Sequence, residues 1–374
     1  MRVLHTADWH VGKTLAGRSR QDEHESVLKE IVGIARDREV DVVLVAGDLF
    51  DTTAPSPEAE RIVYRTLLEL SDIGRVVVVP GNHDNERRMA AIAPLFALSN
   101  ATLHPFVTQE PLEVETARGE RARIALLPWL SQRHVIKADQ LMAHDPHELT
   151  GEFNERMRRI IAALTKDFAA DAVNIVLAHV TIANAQHGGG ERLAQTIFDY
   201  WIDTPAFPAS AHYVALGHLH KMQRLPGPCP IQYAGSPLQL DFSDNDDAKY
   251  VVVFDASSET PADIDEVPLS SGRRLRTLRG SLDRLAPLSG TTGDDFLRVV
   301  VEEPGRAGLS DEIRELFPAA VKIMISPEAR ATRRTIEMSE TSPRELFSRY
   351  LEERGLKDDA LLGLFQELYE DADA

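Results

Sequence analysis

Residues 42–51, V-V-L-V-A-G-D-L-F-D, constrain the fold more than any other stretch of the chain. Five apolar or small residues, rich in β-branched valine, predict a strand buried on both faces, and Gly47-Asp48 ends it abruptly. A carboxylate is thereby delivered to the carboxyl edge of a buried strand, which in open α/β sheets is where ligands sit. An ionised group in that place needs a cation or several hydrogen bonds to offset its desolvation. Asp48 is therefore a candidate bridge between two metal ions, and the fold class expected is α/β.

The same design recurs along the chain. A strand over 2–6 ends in Ala7-Asp8-Trp9-His10-Val11-Gly12, and in extended backbone Asp8 and His10, two apart, face one side. A strand over 75–80 delivers Gly81-Asn82-His83-Asp84, and one over 174–178 ends in His179. Residues 213–220 repeat the pattern with Gly217, His218 and His220. Helical periodicity fills the gaps: 20–38 with Val27, Leu28, Ile31 and Ile34 inward, 56–70 opened by Pro55 and Pro57, 86–98, and 151–168. Strands are expected near 112–114 and 124–127, and Trp129 reads as core or rim packing. Residues 232–237 and a strand over 250–254 are expected to complete a second sheet layer. The glycine-rich loop 186–192 reads either as a surface connection or as a segment able to move over a site.

A turn-rich boundary at 268–272 divides the chain into a domain over 1–272, a small α+β unit over 273–336 and a tail over 337–374. The small unit is expected to hold strands at 296–301 and 321–325 around a helix at 310–316. Its opening arginines, Arg273, Arg274, Arg276 and Arg279, read either as phosphate contacts or as ion pairs. In the tail, Ser342-Pro343-Arg344-Glu345 is a helix start, and Leu346, Phe347, Tyr350 and Leu351 form one apolar stripe. Leu361, Leu364, Phe365 and Leu368 form a second, beyond Gly355. Two short helices bury little alone, so they must pack on the body of the protein or on a partner.

Charge narrows the function. The chain of 374 residues carries a net charge of -18, which argues against gripping nucleic acid over its whole surface, since phosphate neutralisation needs clustered Lys and Arg. Either the substrate is not nucleic acid, or metals and a partner supply positive charge. The tail, with 11 acidic and 4 basic side chains, holds much of the excess. Cys229, the single cysteine, has no disulfide partner and reads as incidental. The start of the chain has no apolar signal segment, and no apolar run is long enough to cross a bilayer, so a cytoplasmic location is expected.

Singly, each polar cluster is weak evidence; together, Asp8-x-His10, Gly47-Asp48-x-x-Asp51, Gly81-Asn82-His83-Asp84, His179 and Gly217-His218-x-His220 resemble the signature of the calcineurin-like metallophosphoesterases. Mixed imidazole and carboxylate donors suit manganese, iron or zinc. The resemblance implies a metallophosphoesterase β-sandwich flanked by helices, with one ion held by Asp8, His10 and His220, the other by Asn82, His179 and His218, and Asp48 between them. His83 would stay unligated and stabilise the transition state or protonate the leaving oxygen. Asp51 would orient it, or would simply cap a loop.

Asp-Trp-His-Val-Gly at 8–12, Ala-Gly-Asp-Leu-Phe-Asp at 46–51, Pro-Gly-Asn-His-Asp at 80–84, Gly-His-Leu-His at 217–220 and Gly235-Ser236-Pro237 resemble, more narrowly, the SbcD nuclease family. Asp51 stands where the archaeal and eukaryotic relatives usually carry histidine, as in the bacterial branch. That resemblance implies two divalent ions, most often manganese, with 3′ to 5′ exonuclease action on DNA ends and endonuclease action on single strands and hairpins. It also implies a capping domain that presents DNA, a C-terminal segment that binds an SbcC-type, SMC-like ATPase, and a two-plus-two assembly containing a homodimer at the nucleoid. The alternatives are a small-molecule phosphodiesterase or nucleotidase of the same fold, and a non-catalytic DNA-end scaffold.

Overall fold

The computed structural model describes residues 1–130, 135, 146–188, 201–244, 248–326, 347–348, 351 and 361–365. The first strand, β1 (Arg2–Thr6), is followed by a small hairpin, β2 (Thr14–Leu15) and β3 (Arg18–Ser19), and by helix α1 (Gln21–Asp37). Then come β4 (Val42–Ala46), α2 (Pro57–Ser71), β5 (Arg75–Val79), α3 (Glu86–Phe96) and β6 (Ala101–Leu103). With β13 (Tyr250–Ser257) and β14 (Thr260–Pro268) they build a six-stranded sheet in the order β14-β13-β1-β4-β5-β6. The four strands β1, β4, β5 and β6 run parallel, and β13 and β14 are antiparallel additions.

A second six-stranded sheet repeats this plan. It contains β7 (Leu112–Glu115), β8 (Arg121–Leu127), β9 (Val173–His179), β10 (Tyr213–Gly217), β11 (Gln223–Leu225) and β12 (Ile231–Tyr233), ordered β11-β12-β10-β9-β8-β7. Its centre, β12-β10-β9-β8, is parallel. The expectation for 250–254 is corrected here: β13 pairs with β1 in the first sheet. Its partner β14 escapes sequence periodicity, because its alternating Asp and Glu residues carry little apolar signal.

Period-two alternation explains the layering. Val42, Leu44 and Ala46 of β4 pack with Val77 and Val79 against Ile124, Ile175, Leu177 and Ala215 of the facing sheet. The alternate residues Val43 and Val45 pack outward with Val27, Leu28 and Ile31 of α1 and with Ile62, Val63 and Leu67 of α2. On the far side, Phe153, Met157, Ile161 and Leu164 of the helix Pro146–Leu164 cover the second sheet. The result is helix, sheet, sheet, helix. Local signals set the helix starts: Ser56 accepts from the Ala59 amide with Pro57 in the first turn, and Asn85 accepts from the Arg88 amide.

A third sheet, β15 (Leu275–Gly280), β16 (Phe296–Val301) and β17 (Ala320–Ile325), is parallel throughout and has its own core. The arginine-rich opening of this unit runs from Arg273 and Arg274 into strand β15, in which Arg276 faces Asp295 at 3.3 Å and Arg279 faces Glu302 at 3.7 Å, so these two arginines are ion-paired. Most of the tail lies outside the described residues, as do Leu346, Tyr350 and Leu368 of its stripes and residues 189–192 of the glycine-rich loop. Within what is described, the Phe347 and Phe365 rings stack at 4.3 Å, Leu351 is buried, and Leu361 and Leu364 are exposed. Among the described residues no helix is long and apolar enough to cross a membrane.

Candidate metal centre

The carboxyl ends of β1, β4 and β5 meet those of β9 and β10 along the seam between the two sheets. His179, at the end of β9, donates from Nδ1 to the Ala46 carbonyl at the end of β4, 2.7 Å away. A carbonyl only accepts, so this contact fixes the proton on Nδ1 and leaves a bare lone pair on Nε2. That Nε2 lies 3.0 Å from Asn82 Oδ1 and 3.5 Å from Asp48 Oδ2. Asn82 Oδ1 also lies 2.9 Å from His218 Nδ1. Asn82 Oδ1 and Asp48 Oδ2 thus both face an Nε2 lone pair that has no proton to offer them.

Asp48 is shared with a second cluster. Its Oδ2 is also 3.5 Å from His10 Nε2, which in turn lies 3.1 Å from His220 Nε2. Two groups, His10-Asp48-His83 and Asp48-His179-His218, each bring candidate ligand atoms within 4.8 Å of one another, and all five residues are buried. Burial holds the imidazole of His179 down to about 4 and those of His10 and His218 well below the usual histidine range, so all three are neutral near pH 7. Neutral, buried imidazoles around a shared carboxylate are a donor set for divalent cations.

The remaining expected residues take distinct places. Asp8 is fully buried, and its carboxylate accepts from the His218 amide at 3.0 and 3.2 Å and lies 4.0 Å from His179 Nδ1. His83 packs edge-on to His10 with ring centres 4.6 Å apart, and its amide donates to Asp48 Oδ1 at 2.8 Å. Asp51 meets His83 through its main-chain carbonyl, 2.7 Å from Nδ1, not through its carboxylate. The carboxylate instead lies 3.1 Å from Lys13 Nζ and 3.5 Å from His10 Nδ1. Burial would raise that carboxyl, but His10 and Lys13 outweigh it and hold it well below the usual carboxylate range.

Two contributors are not announced by the sequence. Asp84 is buried, and its carboxylate accepts from the amides of Gly81 at 2.9 Å, Phe50 at 3.1 Å and Leu49 at 3.2 Å, tying the Asp48 loop to the Asn82 loop. Its place at the end of Gly-Asn-His-Asp is the one available signal. Trp129 stacks on His218 with ring centres 5.1 Å apart, a contact that nothing in Leu-Pro-Trp foretells. Close approach explains Gly81: a Cβ there would sit 2.1 Å from Asp48 Oδ1 and 2.5 Å from the Asp48 amide.

The chain is also similar to known proteins. Residues 1–222 match the profile described as calcineurin-like phosphoesterase, and residues 271–355 match one described as type 5 capsule protein repressor C-terminal domain. A Bacillus subtilis protein named as the SbcD component of nuclease SbcCD is 33% identical, covering 98% of this chain and 97% of its own length. Proteins of the same name from Rhodobacter capsulatus and Escherichia coli K12 are 31% and 29% identical over 76% and 75% of this chain, covering 76% and 72% of their own lengths. Phosphoester hydrolysis assisted by divalent metal is a chemistry that the donor set above accommodates. The chain belongs to the calcineurin-like phosphoesterase family, and within it to the SbcD group of SbcCD nuclease proteins.

Proposed function

We propose that the chain is the metal-dependent nuclease subunit of a complex with an SbcC-type, SMC-like ATPase, hydrolysing DNA phosphodiesters at two divalent ions, manganese by preference. The observation that carries this reading is the sharing of Asp48 between two clusters of buried imidazoles. His10 and His220 with Asp8 would hold one ion, and Asn82, His179 and His218 the other. Bound there, the ions supply Lewis acidity that generates a nucleophile from water at neutral pH and offsets charge on the phosphate.

The protein's own groups do the rest. The His83 amide holds Asp48 Oδ1, and the Asp51 carbonyl holds the Nδ1 proton of His83, so Nε2 is the ring atom left free, and only with a second proton taken up there would the ring, as imidazolium, protonate the leaving 3′ or 5′ oxygen and return to its neutral form. Asp51, through its carboxylate beside Lys13 and His10, keeps the loop that supplies this carbonyl in place.

Residues 1–272 would form the nuclease domain, 273–336 the unit that presents DNA, and 337–374 the segment that binds the ATPase. Exposed Leu361 and Leu364 in an acidic tail suit a helix-in-groove contact, and the partner's basic surface would supply the grip that a net charge of -18 denies this chain. The resemblance to the SbcD family further implies a two-plus-two assembly containing a homodimer of this chain, working in the cytoplasm at the nucleoid. The test is degradation of a blunt duplex and opening of a DNA hairpin by purified chain with manganese, using 3′- and 5′-labelled ends. Shortening from the 3′ end and hairpin cutting are expected; turnover of free nucleotides alone, with DNA untouched, refutes the nuclease reading in favour of a small-molecule phosphodiesterase.

A further inference from the structure

Beyond the ligands stands a buried pair of opposite charges whose target is a main-chain atom. Lys249, immediately before β13, is 9% exposed, and Asp244 is fully buried. An ammonium there is tolerable only with oxygen partners. The Lys249 ammonium lies 3.2 Å from the His220 carbonyl, 3.2 Å from Ser236 Oγ and 3.7 Å from Asp244 Oδ2. The Ser236 hydroxyl has one proton to give and gives it to the Leu238 carbonyl at 2.8 Å, so Oγ is free to accept from the ammonium. Asp244 Oδ2 is itself held by the Leu240 amide at 3.0 Å.

The His220 carbonyl is thus gripped from two directions, by Lys249 and by the Ser236 amide at 3.1 Å. Gly235 makes the approach possible: at φ +73°, a Cβ there would sit 2.7 Å from that same carbonyl oxygen. The grip matters because the loop leaving β10 is strained, with His218 at φ +109°. Lys249 leads into a strand of the first sheet, and His220 leaves a strand of the second, so the contact spans the seam in which the metal centre lies.

We propose that Lys249, with Asp244 as counter-ion, is a positioning residue for the metal centre: by fixing the His220 carbonyl it fixes the imidazole that faces His10. This rests on the ligand reading given above, and the experiment separates the two. Metal-free full-length chain is titrated with manganese by calorimetry and electron paramagnetic resonance, alongside melting of the metal-free protein. Wild type is expected to bind two ions. Lys249→Met is expected to weaken one of them tenfold or more, the scale typical of groups that orient ligands, and to leave the other within twofold. Lys249→Arg, which keeps the charge and donors, is expected to return the weakened ion to within threefold.

Wild-type-like affinities in Lys249→Met overturn the positioning role while leaving the ligands standing, and equal weakening of both ions overturns it as well. Wild type binding no manganese overturns the ligand reading and this proposal together. Should Lys249→Met fail to fold, Ser236→Ala, which removes only the hydroxyl, decides the matter: a threefold or greater weakening of a single ion supports the clamp, and unchanged affinity refutes it.

Discussion

Removing the Asp84 carboxylate should loosen the proposed metal centre from beneath, although Asp84 is not among the proposed ligands. The carboxylate is the common acceptor for three main-chain amides, with Oδ2 taking Gly81 and Leu49 and Oδ1 taking Phe50. Asp84→Ala strands all three donors in a buried place; at about 1–3 kcal/mol for each unsatisfied group, part of it recovered by relaxation, the loss is about 4 kcal/mol. Asp84→Asn is milder. Its amide oxygen can take the place of Oδ2 and keep two donors, while its NH₂ then opposes the Phe50 amide; the neutral side chain also relieves the burial and Asp48 repulsion that push the Asp84 carboxyl up to about 7, so the loss is at most about 2 kcal/mol. Folded domains are stable by only about 5–15 kcal/mol, so both changes are readily measured. Because Leu49 follows Asp48 directly, manganese affinity should fall with stability, by about tenfold for Asp84→Asn, the scale seen when groups behind metal ligands are removed. Urea unfolding of the metal-free chain by circular dichroism, with manganese titration of the same samples, reads both quantities. If Asp84→Ala and Asp84→Asn unfold within about 0.5 kcal/mol of wild type, the three amides find other partners and the reasoning is refuted.

The other predictions concern chemistry, acid stability and assembly. His83→Ala should bind manganese and DNA as wild type does yet lose at least about a hundredfold in cleavage, the low end of what a positioned proton donor contributes; unchanged turnover removes His83 from the mechanism. His24 is fully buried on α1 with Nδ1 against the Arg20 carbonyl, and burial holds its folded-state pKa to about 4. The unfolded chain protonates near pH 6.5, so its neutral form stabilises the fold above that pH. The contribution, about 3 kcal/mol, is lost as pH falls from about 6.5 towards 4. His24→Gln should flatten that limb in urea midpoints taken across this range, and an identical slope would exclude His24 as its source. Deleting residues 337–374 should abolish co-purification with the ATPase and leave manganese-dependent cleavage by the isolated chain intact; retained binding in a pull-down would move the contact elsewhere.

Legibility in the sequence follows from where side-chain chemistry and backbone periodicity coincide. Val42–Ala46 announces a doubly buried strand because both of its faces are covered by apolar layers, and the structure uses both. Each imidazole of the seam follows such a strand, so local sequence alone puts the polar residues at carboxyl edges. Relations between distant segments are not legible. Nothing in the spacing tells that Asp51 meets His83 by its carbonyl, since main-chain acceptors are the same at every residue. Nor does composition separate β13 from the second sheet, because Tyr-Val-Val-Val-Phe fits any buried strand and its partner is chosen by three-dimensional packing. Strand β15 is hidden by arginines that look like a surface run and turn out to flank buried Leu275 and Leu278, which are three apart and so give no period-two signal.

The backbone carries a further mark of function. Among the described residues seven non-glycine positions have positive φ, and four of them are Asp8 at 53°, His10 at 46°, Asp48 at 51° and His218 at 109°. Such conformations cost about 1–3 kcal/mol each and persist only where surrounding contacts over-determine them. Here they do: the Asp8 amide donates to the Gly47 carbonyl at 2.9 Å, the His10 amide to the Asp48 carbonyl at 3.0 Å, and the His218 amide to the Asp8 carboxylate. The strained residues therefore hold one another across the two sheets, so that strain in one loop is resisted by the next. A chain selected for stability alone could relax these turns with glycine, which adopts positive φ at no steric cost. That aspartate and histidine occupy them means the side chains, not the turns, dictated the choice, and the side chains converge on the space beside Asp48.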